Sequence, residues 1–509
     1  MKILTYTTSL SCKYISDACQ IIGEKNKNVE FLHILKKKKF TEFEKKNLSY
    51  LKNKKVIFIN EESEDKKIDF KYLKYFEKKI AIDNIWKMIS SDRSYGRAYI
   101  NDIDDYYSIY SSNNYNKILL NFIETSKSVE KIFKKFRPNY FFIPNGLSGI
   151  DATIIESVAK FFKCKIVMPE PSRFKSYILF VDNLKTVNLE LKKNYFKTKR
   201  KYTKSKKIDK IFNEISNIKC SISVDAIEIK NTISKLLNKN IFQKFFGKTI
   251  YVVLKHMYFK LLFFLNIKYN HLKFLHKYNL FSNISSEIKL NKNLKYLTSL
   301  EQPNLNEKYT YYPLHLNPET STLLKGNEYM NQESLIESIS KNIPCDHKLY
   351  IKEHPAMLIS HPRKLSFYER IRELPNVKLI NPSSDSRKII NRAATVIVVD
   401  GSSAFEAIIS NIPLVTMKQF NYDFLDLSVT NTKIDNLNAD IENAIKKNQN
   451  LKKQEHASKI KILLKSIIDH SYNLRDPDTF FYFNKEMKSK EKDVNAQDLA
   501  SALIKELKL

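Results

Sequence analysis

The chain has 509 residues, 43% hydrophobic and 28% charged, and its 87 Lys and Arg outnumber 55 Asp and Glu to give a formal charge of +32. This length supports two to four domains with cores of their own, and this composition argues against wholesale disorder and against a polytopic membrane protein. Only 7 Gly occur where average usage gives roughly 36, which argues against collagen, flexible linkers and the glycine-dense nucleotide motifs.

The basic surplus is mostly Lys spread along the whole chain beside abundant Ile, Asn, Tyr and Phe, so a bland basic surface and a polyanion-binding surface both fit it. Cys12, Cys19, Cys164, Cys220 and Cys345 are odd in number, scattered and without a C-x-x-C pair. Neither a disulfide framework nor a zinc ribbon is indicated, and a reducing cytoplasm fits best. The apolar start from Met1 to Tyr6 is too short for a signal peptide.

From the amino end, β-rich runs at residues 2–6, 30–34, 56–59, 140–143 and 165–168 alternate with longer helix-compatible stretches, the pattern of a parallel sheet with crossover helices. After Asp182 comes lysine-dense sequence over 192–207, then apolar helical sequence to about Leu290. Within it, 250–269 is long enough for a membrane span but contains Lys255, His256 and Lys260. It suits a helix lying on an anionic bilayer, and equally a buried amphipathic helix with snorkelling lysines.

A second alternating block predicts strands at 309–314, 348–352, 377–380, 395–400 and 414–417, with helices around 330–341, before Arg372 and over 404–410. A polar-apolar helix over 494–509 could pack on either block. The expected class is α/β, with two Rossmann-like doubly wound domains, an acceptor domain at 1–182 and a nucleotide-sugar domain at 301–480. A lysine-rich helical insert would occupy 183–300, and a helical tail 481–509. Ligands bind such pairs in the crevice at the carboxyl ends of the strands.

Three segments at expected strand ends carry chemistry. Lys352-Glu353-His354-Pro355 places a cation and an imidazole at the end of the 348–352 strand, and Pro355 stops the ladder. Gly401-Ser402-Ser403 turns strand 395–400 into a helix. Ser403 and Glu406 have capping-box spacing, while Ser402 beside free helix N–H groups makes a phosphate cradle. The run from Tyr311 to Thr322 gathers His315, Asn317, Glu319 and three hydroxyls; Glu319 could act as acid, base or clamp, or cap the segment after Pro318. Asp102-Ile103-Asp104 and Asp476-Pro477-Asp478 are matched by chance too easily to indicate a metal site.

The run from about Tyr311 to Met417 resembles the bacterial capsule and surface polysaccharide biosynthesis proteins, which include transferases of the acidic sugar Kdo and have a GT-B glycosyltransferase fold. The resemblance rests on Pro313-Leu314-His315, Asn317-Pro318-Glu319, Gln332, Pro344, Lys352-Glu353-His354-Pro355, Gly401-Ser402-Ser403, Glu406-Ala407 and Pro413. The family commonly has Gln-Pro-Glu where this chain has Asn317-Pro318-Glu319. Weaker similarity surrounds Arg137-Pro138-Asn139 and the run from Pro169 to Phe174.

The resemblance implies a nucleotide-sugar in the C-terminal domain and an acceptor against the N-terminal one. His-Pro with Ser-Ser also resembles the donor site of CMP-sugar transferases. By that likeness His354, Ser402 and Ser403 bind phosphate at the Gly401 turn, Lys352 adds positive charge and Glu406 contacts the ribose. His315 and Asn317 become substrate contacts. Arg93 and Arg173 are candidate clamps for an acidic sugar's carboxylate, since a guanidinium fork binds carboxylate bidentately. Asp151 and Glu170 join Glu319 as candidate base or nucleophile.

Imidazole, ammonium and helix terminus together can stabilise a leaving phosphate without metal or cofactor. The expectation is therefore a cytoplasmic glycosyltransferase at the inner membrane face, taking a CMP-linked sugar to a glycan or glycolipid. A UDP-sugar or CDP-glycerol donor on the same fold is the first alternative. A non-enzymatic basic protein bound to nucleic acid or membrane is the second.

Overall fold

The computed structural model describes residues 1–7, 12–36, 55–59, 67–82, 84–93, 95–100, 115–143, 149–175, 177–184, 188–216, 289, 292–360, 363–474 and 489–509. Segment 250–269 and both D-x-D motifs lie outside the described residues.

Strands β1 (Lys2–Tyr6), β2 (Glu30–Lys36), β3 (Val56–Ile59), β4 (Tyr140–Phe142) and β5 (Lys165–Pro171) are parallel in the order 3-2-1-4-5. Successive residues serve opposite faces, as the two-residue period of a strand requires: Ile3 joins one core, with helices Cys12–Lys25 and Ser489–Leu507, and Leu4 the other, with helices Tyr115–Phe136 and Ile150–Phe161. β5 runs three residues past the expected 168 and turns back as the antiparallel β6 (Tyr177–Val181). On β6 lies β13 (Tyr472–Asn473), so a segment from far along the chain completes the first sheet.

The second sheet is wholly parallel. β7 (Tyr309–Pro313), β8 (Lys348–Lys352), β9 (Val377–Ile380), β10 (Thr395–Val398), β11 (Leu414–Thr416) and β12 (Val429–Thr430) stand in the order β9-β8-β7-β10-β11-β12. This is the doubly wound order whose direction of winding reverses between its first and fourth strands, here β7 and β10. Apolar sequence on both faces suits a strand covered by helices on each side, and all four residues of β10 are buried. The GT-B-like pair of Rossmann-like domains expected from the sequence is therefore what the sheets form.

Two local expectations change. The helix after β10 is Ser402–Ile409, with Gly401 as its N-cap at φ +123° and no side-chain cap bond. Ser403 therefore lies inside the helix and the Ser403/Glu406 capping box does not form. Glu406 is instead 2% exposed, with Arg387 and Tyr311 in its electrostatic field. The tail helix begins by Ser489 and packs on helix Cys12–Lys25, which places it on the first domain.

Candidate functional site

At the reversal point of the second sheet, the loops after β7 and β10 meet: His315 Nε2 lies 2.7 Å from the Asp400 carbonyl oxygen. The backbone N–H groups of Val399 and Asp400 also point at Nε2, each at 3.3 Å, and buried Nδ1 has no partner among the described residues. Burial lowers the His315 pKa, so the ring is neutral. Its backbone is held from both directions, since His315 N–H donates to Gln332 Oε1 at 2.7 Å and Gln332 Nε2 donates to His315 O at 3.0 Å.

His354 follows β8. Its Nδ1 accepts from the Ala356 N–H at 3.2 Å, which leaves Nε2 as the N–H of the neutral ring. Burial, with the positive charges of Lys352 and Arg363, holds its pKa down at about 3. The residue as a whole keeps intermediate exposure. Lys352 is 3% exposed at the strand's last position. Gly401, Ser402 and Ser403 start the helix after β10 and are all partly accessible.

A charge cluster joins the two domains. Lys325 Nζ lies 2.8 Å from Glu170 on β5 and 3.4 Å from Asp400 after β10. Asn421 Nδ2 also donates to Glu170, at 3.1 Å, and the Tyr422 hydroxyl donates to the Ser172 carbonyl in the β5–β6 turn. That turn presents Arg173 at φ +57°, a left-handed backbone costly for a non-glycine residue. Arg173 is solvent-exposed and yet set among protein charges, as expected of the wall of a crevice.

Partial desolvation opposes the charges of Arg173 and Lys325, but Asp400 and Glu170 outweigh it and raise both pKa values, with Glu319 adding to the field at Arg173. Burial likewise works against ionised Asp400. Lys325, Arg173 and the Gly401 N–H overcome it and hold that carboxyl below its usual range.

Of the residues singled out in the sequence, Glu170, Arg173, His315, Glu319, Lys352, His354 and the Gly401–Ser403 turn thus converge on one crevice. Glu319 accepts from Ser321 Oγ at 2.9 Å. Asp151 lies at the corresponding point of the first sheet, where Tyr6 OH donates to its Oδ2 at 3.2 Å. Arg93 is exposed. Asn317 is fully buried, with its Nδ2 donating to the Met330 carbonyl at 3.3 Å.

Lys325, Asp400 and Arg363 were not singled out. Lys325 is hidden among 87 Lys and Arg, although its neighbour is one of the 7 glycines. A Cβ on that neighbour, Gly326, would lie 2.2 Å from Val399 Cγ1, so the backbone beside Lys325 is pressed directly on the end of β10.

These features define a two-domain α/β protein with its polar crevice at the carboxyl ends of both sheets. Residues 234–465, a little under half of the chain, match the family of capsule polysaccharide biosynthesis proteins, which bears out the resemblance drawn from the sequence. A search of curated proteins found no match. Among solved structures, a UDP-GlcNAc 2-epimerase of Methanocaldococcus jannaschii is similar at 11% identity with a TM-score of 0.28, over 91% of this chain and 99% of that one. The beta Kdo 2,7 transferase of Thermosulfurimonas dismutans KpsC is similar at 12% identity with a TM-score of 0.29, over 65% of this chain and 79% of that one. Among the described residues no group of three or more His, Cys, Asp or Glu could hold a metal ion, and no helix is long and apolar enough to cross a membrane.

Proposed function

We propose that the chain is a glycosyltransferase of capsule or surface polysaccharide biosynthesis, moving an acidic sugar such as Kdo from a CMP donor to a glycan or glycolipid acceptor on the cytoplasmic side of the membrane. The observation that carries the reading is the convergence of His354, with its Nε2–H left available, and the Gly401–Ser402 helix start at the reversal point of the second sheet. Imidazole N–H, helix N–H groups and the Lys352 ammonium would receive the phosphate of CMP.

In the transfer, the acceptor hydroxyl oxygen bonds to the anomeric carbon as the bond from that carbon to the phosphate oxygen breaks. CMP leaves with the electron pair, and a carboxylate takes the hydroxyl proton. Glu170 Oε1 is already engaged by Lys325 and Asn421, which favours Glu319 or Asp151 as that carboxylate. A retaining course would instead use a carboxylate as nucleophile. Arg173 would face the donor's carboxylate from across the crevice. No step of this scheme calls for a metal.

Calorimetric titration with CMP, CDP, UMP, UDP and GDP tests the reading. Selective CMP binding, lost in His354→Ala, is expected. Preference for UDP or CDP would replace the donor with a UDP-sugar or CDP-glycerol. Absence of nucleotide binding would overturn the transferase assignment in favour of a basic binding protein.

A further inference from the structure

At the end of the first sheet away from the crevice, a cavity of about 1070 Å³ opens where strands β1, β4 and β5 begin. Lys134, Arg137, Lys163 and Lys165 line it with Tyr140 and Phe162, and among the described residues no carboxylate does. All four cations are exposed. Arg137 and Lys163 each take a left-handed backbone, φ +52° and +55°, just past the ends of helices Tyr115–Phe136 and Ile150–Phe161. Glycine is the usual residue at such a helix exit, so each turn carries a long cation at a conformational cost.

The partial negative charge of a helix end accounts for one cation at each terminus. It does not account for the rings beside them. Tyr75 and Phe161 are 54% and 47% exposed, and Lys79 Nζ lies 5.4 Å and 4.8 Å from their ring centroids. Among the described residues, Glu130 pairs with Lys79 at 3.0 Å and Glu506 approaches Lys165 at 4.0 Å.

We propose that this face docks on an anionic lipid bilayer, with Phe161 and Tyr75 entering the headgroup layer and the four cations holding lipid phosphates. Charge complementarity favours an anionic partner. The exposed rings favour a bilayer over a soluble polyanion, because aromatic side chains settle at the membrane–water interface. The inference stands independently of the transferase reading and of segment 250–269. Along β5, Lys165 on this face and Glu170 in the crevice are five residues apart, or about 17 Å at the strand rise. An acceptor anchored in the same bilayer would therefore reach the crevice by its glycan and not by its lipid.

The test is sedimentation of the full chain with vesicles of phosphatidylcholine, with and without phosphatidylglycerol. Each cation near an anionic leaflet is worth roughly fivefold in affinity. Changing Lys134, Arg137, Lys163 and Lys165 together to Gln should therefore weaken binding to the anionic vesicles by about a hundredfold or more. The same charge removed at Lys192, Lys193, Lys197 and Arg200, exposed on helix Leu189–Lys201, should change it little. Phe161→Ser should weaken binding at high salt as well, and melting curves establish that each variant folds. Equal losses from the two four-residue sets would overturn the proposal. So would unchanged binding in the first set, or binding to soluble polygalacturonate with none to vesicles.

Discussion

Arg363 and Glu353 form an ion pair with no side-chain exposure on either partner, Nε to Oε2 at 2.7 Å, and through it they tie the loop after β7 to the loop after β8. Arg363 Nη2 donates to the His315 carbonyl at 2.6 Å, and Glu353 Oε1 accepts from the His354 N–H at 2.6 Å. The two histidines of the crevice thus hang from one buried bridge, which the Tyr368 hydroxyl joins at 2.6 Å. Arg363→Met leaves a buried carboxylate without its cation and should cost about 3–5 kcal/mol. Adding Glu353→Gln should recover part of that loss, and urea unfolding of the single and double variants measures the coupling.

Four histidines with lowered pKa values make the protein acid-sensitive. Burial is the first cause of the lowered pKa of His315, His347, His354 and His456, and it brings His354 to about 3. An unfolded histidine titrates near 6.5, so below that pH the unfolded chain binds more protons than the folded one. Stability should be level above about pH 6.5 and fall as the pH drops, with His354 contributing down to about pH 3. His354→Gln should flatten the slope by up to about 1.4 kcal/mol per pH unit. Denaturation midpoints between pH 7 and 5 check this, and an unchanged slope would contradict a neutral His354.

Gly326→Ala should destabilise the fold by about 1–3 kcal/mol, because the added methyl overlaps Val399 Cγ1. Trimming the neighbour in Gly326→Ala/Val399→Ala should relieve the overlap at the cost of buried contact on β10. Thermal melts that show no recovery in the double variant would move the cause to the backbone, where Ser321 O lies 3.2 Å from the new Cβ.

Ser402→Ala and Ser403→Ala should each change stability by less than about 0.5 kcal/mol, since no side chain caps this helix. Nucleotide affinity should fall with Ser402→Ala. A stability loss of about 1 kcal/mol in Ser403→Ala would restore the capping box.

The second domain was readable because parallel strands buried on both faces are written as short apolar runs. β8 and β9 fall at their expected bounds, and β7, β10 and β11 come within two residues. Strand ends were readable too, and this is how His315, His354 and the Gly401 turn came into view. Pairings across the sequence were not. Arg363 reaches His315 only once β7 and β8 are adjacent, and Lys325 meets Glu170 across 155 positions. The capping box failed because Ser-x-x-Glu spacing cannot register that Gly401, at positive φ, starts the helix two residues earlier. Glu406 then faces the interior.

The return of the chain to its first sheet has a consequence for biosynthesis. Ile15, Ile22 and Phe142 share one apolar layer with Leu499 and Leu503. Leu499 is translated 484 positions after Ile15, and at roughly 5–20 residues per second the ribosome needs about 25–100 s to bridge that gap. Throughout that interval the nascent first domain presents an uncovered greasy side, which makes it a client for chaperones until its cover arrives.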